Sequence, residues 1–255
     1  YFEAMSGLTT CGATVLGSGG NMDIEEVARS LLVWRAMLQW IGGIGIVLVF
    51  VALLPAMGVN AKNLLSSESV GVATESYQPR AIEKARYIGK VYLAMTLLCM
   101  SLLMWIGGFH WFDAMCHAFT SIATGGYSTK ASIKSFDSLG GEAVLIVFMF
   151  LSGASLAVIA THLRTGVRCL SKLVQSAEFR IYTASSVLLI SILTVALMRS
   201  GIDFGSALRQ AMFNGVSVIT STGYATADFQ AWPATATIVM FGAMFVGGCS
   251  GPTQG

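Results

Sequence analysis

Three short segments of the chain each carry a hydroxyl residue two positions before a glycine. Backbone carbonyl groups in such segments can replace the hydration shell of a potassium ion, provided that they point at one axis. Glycine suits that geometry because it adopts backbone angles that residues with a Cβ disfavour. Three copies at matched places predict an ion-selectivity filter. Its candidate residues are Thr10, Cys11, Gly12 and Ala13; Thr124, Gly125, Gly126 and Tyr127; and Ser221, Thr222, Gly223 and Tyr224.

The second segment contains two adjacent glycines, so its register is ambiguous. Aligning Gly126 and Tyr127 with Gly223 and Tyr224 makes Gly126 the filter glycine. Gly125 then occupies the position that Thr222 holds in the third segment. We take this alignment as the prediction.

The composition is typical of a membrane protein. Of the 255 residues, 55% are hydrophobic and 11% are charged, whereas soluble domains carry about 25% charged residues. The net charge of +2 comes without a basic stripe, so we expect no nucleic-acid partner. The five cysteines lack metal-ligand spacing, and their odd number argues against a complete disulfide framework.

Long and short apolar runs alternate along the chain. A helix that spans a bilayer needs about 20 apolar residues, whereas runs of about 10 to 14 suggest partial crossings. We therefore expect an all-α membrane protein in which helix–pore-loop–helix units of potassium-channel type surround a central pore. The long runs are 30–54, 87–108, 142–161, 181–198 and the run after Pro233, and the short runs are 1–9, 111–123 and 204–220.

These runs divide the chain into three units and two linkers. We predict a first pore unit at 1–54 with a truncated pore helix, a second at 87–161 and a third at 181–255. The linkers are 55–86 and 162–180. Because the chain starts inside an apolar segment and stops inside a glycine-rich one, we interpret it as a fragment.

The loop charges predict an orientation. Nine cations lie in 57–90 and 162–180, so the positive-inside rule places those loops in the cytoplasm and the filter segments towards the outside. Acidic residues in the opposite loops would concentrate cations at an outer mouth. They are Asp23, Glu25, Glu26, Asp137, Glu142 and Asp228.

Polar residues inside the apolar runs are few. Arg35 and Gln39 lie in the first long run, and an ionisable residue there is a functional hypothesis by default. We predict that both support the filter from behind. His110, His117 and His162 show no ligand spacing, and we assign them no chemistry. A membrane-embedded enzyme would need a Ser/His dyad, paired aspartates or an HExxH helix, and none is present, so we expect no enzymatic activity. A purely structural or receptor-like bundle does not explain three filter glycines.

The motifs resemble the Trk/Ktr/HKT superfamily of potassium transport proteins, and most closely its bacterial TrkH type. The resemblance covers essentially the whole chain, and it rests on Glu3–Val15, Trp34–Gly45, the second and third filter segments and Gly247–Gly255. It implies four units around one pore, so a fourth unit is missing from this fragment. It also implies potassium as the substrate, no covalently bound cofactor, and an intramembrane gate loop. The gate-loop residues are Gly247, Gly248, Cys249, Ser250 and Gly251.

The same resemblance implies the protein's surroundings. Such proteins are homodimers in the plasma membrane, the inner membrane of bacteria, and a cytoplasmic nucleotide-binding subunit of the TrkA type regulates them. Plant relatives that favour sodium carry serine in place of the first filter glycine, so Gly12 favours potassium. Cys11 replaces the commoner threonine, and we expect no loss of selectivity. Transport of sodium or of mixed cations by the same fold is the alternative.

Overall fold

A computed structural model of the chain describes residues 1–16, 24–56, 77–154, 177–227, 229 and 232–245. This part of the chain is helical and contains no strand, as the sequence predicts. Its α-helices are α1 (Phe2–Leu8), α2 (Arg29–Ala56), α3 (Tyr77–Trp105), α4 (Trp111–Ile122), α5 (Leu139–Gly153), α6 (Ala177–Arg199), α7 (Phe204–Ile219) and α8 (Ala234–Ala243).

Helices α1, α4 and α7 correspond to the three short runs. Helix α4 has 12 residues and α7 has 16, which at 1.5 Å per residue gives about 18 and 24 Å, less than a hydrocarbon core of about 30 Å. Both begin with a side-chain cap: His110 accepts a hydrogen bond from the amide of Phe112, and Asp203 accepts one from the amide of Gly205. Each of the three helices ends directly before a candidate filter segment.

The long helices differ in detail from the predicted runs. Within the described residues, Arg86–Trp105 and Ala177–Arg199 are long and apolar enough to cross a membrane. Helix α3 begins at Tyr77, ten residues before the predicted apolar run, because hydropathy marks where a membrane begins and not where a helix does. The predicted run 142–161 is helical to Gly153, and 155–161 lies outside the described residues.

Helix α4 packs at the centre of the second unit. It contacts α2, α3 and α5, while α7 contacts α5, α6 and α8. Tyr92 of α3 donates a hydrogen bond from its hydroxyl to the carbonyl of Trp40 in α2 at 3.0 Å, and the two rings lie 5.6 Å apart. Long helices therefore flank α4 and α7, whereas α1 packs mainly against α2.

Candidate functional site

The three candidate filter segments share one backbone conformation. In each, the hydroxyl residue and the glycine two positions later are left-handed, and the residue between them is not. Residues with a Cβ seldom adopt a positive φ, so its recurrence at matched positions is a specific feature that the three segments share. The second segment follows the pattern with Gly126 and not Gly125, in agreement with the predicted register. The φ angles are 57°, 51° and 56° at Thr10, Thr124 and Ser221, and 73°, 76° and 81° at Gly12, Gly126 and Gly223.

Each segment leaves its helix through the same hydrogen bond. The residue before the filter glycine donates its amide hydrogen to the carbonyl five positions earlier. Bonds of this kind satisfy carbonyl groups at the end of a helix, which would otherwise lack a partner. The short helices therefore fix where the segments start. The three bonds run from Cys11 to Ser6 at 3.0 Å, from Gly125 to Thr120 at 2.9 Å and from Thr222 to Ser217 at 2.9 Å.

Two of the three candidate filter glycines, Gly12 and Gly126, lie directly against the neighbouring segment. A Cβ on Gly12 would overlap the carbonyl oxygen of Gly125, and a Cβ on Gly126 would overlap that of Thr222. No described atom lies within 4 Å of a Cβ built on Gly223. The first segment therefore contacts the second and the second contacts the third, and only glycine fits at the two contacts.

One cavity joins the three segments. Its volume is about 220 Å³, and all three filter glycines line it together with Tyr127 and Tyr224. The structure thus brings Gly12, Gly126 and Gly223 to a common space, while Gly125 and Thr222 supply the carbonyl groups at the contacts. We call this space the mouth cavity. Its other lining residues are Thr14, Leu16, Ile24, Arg35, Ser128, Lys130, Ala131, Ser132, Ile133 and Ala225.

Gln39 binds the second segment at two points. Its Nε2 donates to the carbonyl oxygen of Gly125 at 2.6 Å, and its Oε1 accepts the amide hydrogen of Tyr127 at 3.1 Å. The side chain is fully buried, so both ends of the amide are satisfied without water. A Cβ on Gly125 would overlap this side chain, which explains why glycine replaces threonine at this position.

Arg35 and Glu3 form an ion pair behind the first segment, with side chains that are 5% and 21% exposed. Arg35 Nε donates to Glu3 Oε2 at 2.7 Å and Nη2 donates to Thr14 Oγ1 at 2.9 Å. The guanidinium also lies over the ring of Tyr127, 4.1 Å from its centroid, a distance at which the ring face attracts a cation. Arg35 therefore contacts Thr14, directly after the first segment, and Tyr127 in the second segment.

Sequence reasoning missed a second set of supporting residues. Glu3, His117 and Asn214 each lie nine positions before a filter glycine, and each binds the chain that follows its own segment. Glu3 Oε1 accepts from Thr14 Oγ1 and from the amide of Val15, both at 2.8 Å. His117 Nε2 lies 3.1 Å from Ser128 Oγ, and Asn214 Oδ1 accepts the amide hydrogen of Thr226 at 3.1 Å. The constant spacing was the available signal, but the three residue types differ.

Hydroxyl groups provide a third set of contacts that the sequence analysis did not find. Ser6 Oγ donates to the carbonyl of Ala13, and Ser217 Oγ donates to that of Tyr224, both at 2.7 Å. Each bond holds the residue directly after a filter glycine. The signal was again spacing, because Ser6, Thr120 and Ser217 all lie six positions before a filter glycine.

Two tyrosines join neighbouring segments. Tyr127 donates from its hydroxyl to the carbonyl of Glu3 at 3.0 Å, in the helix that precedes the first segment. Tyr224 is bonded through its hydroxyl to Thr120 Oγ1 and contacts the carbonyl of His117 at 3.4 Å. The second segment is therefore tied to α1 and the third to α4, in each case the short helix of the previous unit.

The described lining of the mouth cavity is positively charged. Its described lining contains the cations Arg35 and Lys130 and no carboxylate. Glu142 is buried and accepts from Arg209 Nε at 2.6 Å, and Glu25 lines a separate cleft of about 370 Å³. Asp23 and Asp228 lie outside the described residues.

The predicted gate loop lies outside the described part of the chain. Helix α8 ends at Ala243, and the description stops at residue 245. Gly247, Gly248, Cys249, Ser250 and Gly251 are therefore not placed by the structure.

Comparison with known proteins shows the family to which the chain belongs. The model of the TrkH family, described as "Cation transport protein", matches residues 1–255. The chain belongs to the TrkH family, whose members are membrane proteins.

Individual relatives agree with that assignment. The Trk system potassium uptake protein TrkH of Halomonas elongata is 38% identical over 257 residues, and that of Escherichia coli K12 is 35% identical over 260. Each alignment covers 100% of this chain and 52% of the relative. The crystal structure of the potassium transporter TrkH from Vibrio parahaemolyticus superposes with a TM-score of 0.82 at 32% identity, over 100% of this chain and 50% of that one. The chain thus spans about half the length of the relatives that it matches.

Proposed function

We propose that the protein containing this chain takes up potassium ions through a gated pore whose filter is built from backbone carbonyl groups. The observation that carries the proposal is the backbone match between three segments whose glycines line one cavity. The relatives named as potassium uptake proteins support the same conclusion.

In this proposal the potassium ion is the substrate, and the carbonyl groups of the three segments bind it. A carbonyl oxygen has two lone pairs, so the hydrogen bond from Gln39 leaves the Gly125 oxygen with one for an ion. A ring of such oxygens replaces the water that a potassium ion loses on leaving solution.

We further propose that a fourth segment completes the ring. Within the described residues the flank of Gly223 is open, whereas the flanks of Gly12 and Gly126 are each covered by a carbonyl group. A fourth segment on that flank would place a carbonyl group against Gly223, as the third segment places that of Thr222 against Gly126. Relatives about twice as long as this chain have room for it.

The remaining proposals concern the gate and the surroundings. We assign the gate to Gly247, Gly248, Cys249, Ser250 and Gly251, because short α8 precedes them and small residues leave room for an ion when they move. The protein would lie in the bacterial inner membrane as a homodimer, with the filter facing outwards. Its basic linkers would face a nucleotide-binding regulatory subunit of the TrkA type in the cytoplasm.

Ion replacement in the full-length protein tests this function. Proteoliposomes that contain it should take up potassium or rubidium in preference to sodium, and empty vesicles should not. Equal uptake of sodium would favour the mixed-cation alternative, and no cation flux at all would contradict the proposal. Deletion of residues 247–251 in folded, inserted protein should raise the flux, whereas wild-type flux would contradict the gate assignment.

A further inference from the structure

We infer that Lys130 sets a positive electrostatic potential at the mouth cavity and thereby lowers the affinity of the pore for entering cations, divalent ones more than monovalent ones. The inference rests on the proposed function, since it concerns ions that enter the same pore. It concerns the described lining of the cavity, which contains none of the acidic loop residues that the sequence predicts around an outer mouth.

Lys130 lies at the boundary between two spaces. It lines the mouth cavity with the three filter glycines, and it also lines the separate cleft that contains Glu25 and Asp113. Its position follows from the second segment, because the amide of Lys130 donates to Ser128 Oγ at 3.1 Å and Ser128 contacts the buried His117. The backbone of Lys130 is therefore fixed relative to the filter.

The ammonium group of Lys130 is held in place. Its Nζ lies 4.4 Å from the ring centroid of Phe136 and donates to the carbonyl of Ser135 at 3.4 Å. Phe136 is itself stacked on Phe109 at 4.3 Å. An ammonium over an aromatic face keeps its full charge, so the contacts position the charge without neutralising it.

Nothing in the described lining of the cavity offsets this charge. Arg35, the other cation there, is paired with Glu3. Within the described part of the chain no carboxylate lies within ion-pair distance of Lys130. Asp113 accepts a hydrogen bond from Thr129 at 2.5 Å, and together with Glu25 it lines the cleft and not the mouth cavity.

The size of the cavity makes the charge effective. A compact space of about 220 Å³ is about 8 Å across, which is no longer than the Debye length of about 8 Å at physiological ionic strength. Repulsion between two unit charges at that distance weakens binding by a factor of about two at the dielectric constant of water and of about thirty at the effective value of about 20 near a protein surface. For a divalent ion the repulsion energy doubles, so the factor by which binding weakens is squared.

A charge series at this position tests the inference in the full-length protein. We would reconstitute the wild type, Lys130→Arg, Lys130→Gln and Lys130→Glu in phosphatidylcholine vesicles. The readouts are the half-saturating potassium concentration and the block by barium, at low and high ionic strength set with N-methyl-D-glucamine chloride. The matched control is Arg199→Gln, which removes an exposed cation at the end of α6 that does not line the mouth cavity.

Removal of the charge should lower the half-saturating potassium concentration about two- to thirtyfold at low ionic strength. The concentration should be lower still for Lys130→Glu, and barium block should strengthen by a larger factor. High ionic strength should shrink both shifts, and Lys130→Arg and Arg199→Gln should resemble the wild type. An unchanged affinity in Lys130→Gln, an equal shift in Arg199→Gln, or a shift that salt does not reduce would each overturn the inference. If Lys130→Gln does not fold, the Arg and Glu variants give the same comparison. Absence of potassium flux in the wild type would instead contradict the proposed function.

Discussion

Gln39 on α2 donates its side-chain amide hydrogen to the carbonyl oxygen of Gly125 at 2.6 Å, although the two residues are 86 positions apart in the sequence. The other end of the same amide accepts from Tyr127 at 3.1 Å. One side chain of the first unit thus fixes the backbone on both sides of Gly126 in the second unit. The geometry of the second segment therefore depends on the packing of α2 against α4.

Replacement of Gln39 by leucine should weaken both stability and ion selectivity. It leaves the carbonyl of Gly125 and the amide of Tyr127 buried without their partner, at about 1–3 kcal/mol for each group. We expect a lower unfolding temperature in detergent and a higher ratio of sodium to potassium uptake. Gln210→Leu is the control, since this half-buried side chain makes no hydrogen bond within the described residues. If Gln39→Leu matches that control in both measurements, Gln39 does not support the filter.

The helices could be predicted from the sequence because each depends on local patterns. Run length distinguished long helices from short ones, and α4 and α7 agree with the predicted runs 111–123 and 204–220 within one residue. The predicted register of Gly126 also agrees with the backbone angles. These predictions required only hydropathy, glycine and internal repetition.

The contacts behind the segments could not be predicted in the same way. Glu3, His117 and Asn214 occupy one structural position with three different chemistries, so residue type alone gives no repeat to detect. Their partners depend on how neighbouring units pack, which a single chain without an alignment does not reveal. The pairing of Glu142 with Arg209 could not be predicted for the same reason, and Glu142 does not line the mouth cavity.

Gly12→Ser should reduce discrimination between potassium and sodium more than it reduces total uptake. Gly12 has a φ of 73°, and its Cβ would overlap the carbonyl oxygen of Gly125, so the serine must displace a group proposed to bind the ion. Uptake measurements with potassium and sodium, alone and in competition, give the ratio.

The control for backbone strain is Gly108→Ser. Gly108 has a similar φ of 66° but open space around its Cβ, and it lies between α3 and α4. Gly108→Ser should lose about 1–2 kcal/mol of stability, because a left-handed backbone is unfavourable for a residue with a Cβ. Its ion selectivity should not change. A selectivity loss of equal size in both variants would show that strain, and not the contact with Gly125, is responsible.

Arg209→Met should destabilise the protein more than Arg35→Met. Removing one partner of a buried pair costs about 3–5 kcal/mol because it leaves an uncompensated charge, and the Glu142 carboxylate that Arg209→Met leaves behind is 5% exposed. The Glu3 carboxylate that Arg35→Met leaves behind is 21% exposed and keeps its hydrogen bonds from Thr14 and Val15, so water and these bonds compensate part of the loss. Unfolding temperatures in one detergent compare the two variants.

Lysine at position 35 should not restore stability. An ammonium cannot donate in two fixed directions to Glu3 and Thr14 while lying flat on the ring of Tyr127. Equal unfolding temperatures for Arg35→Lys and the wild type would contradict this account, because they would mean that charge alone is sufficient.

Removal of the hydroxyl groups that join the segments should affect selectivity without unfolding the protein. Tyr224→Phe loses the bond to Thr120, and Thr120 keeps its own bond to the carbonyl of Cys116 at 3.0 Å, so the cost is about 0.5–1.5 kcal/mol. Tyr127→Phe loses the bond to the carbonyl of Glu3. Each change frees one segment from the short helix of the previous unit, α1 for Tyr127 and α4 for Tyr224. We expect sodium uptake to rise relative to potassium uptake in both variants.

Tyr182→Phe provides the matched control for these two variants. Tyr182 donates from its hydroxyl to the carbonyl of Phe150 at 3.1 Å, which joins α6 to α5 and involves no filter segment. It should lower the unfolding temperature by a similar amount and leave the sodium-to-potassium ratio unchanged. Because Tyr127 and Tyr224 join different pairs of elements, the double variant should show at least the summed change in the logarithm of that ratio. A ratio that moves equally in Tyr182→Phe would mean that any loosening of the helices admits sodium, and that the tyrosine hydroxyls have no special part in holding the segments together.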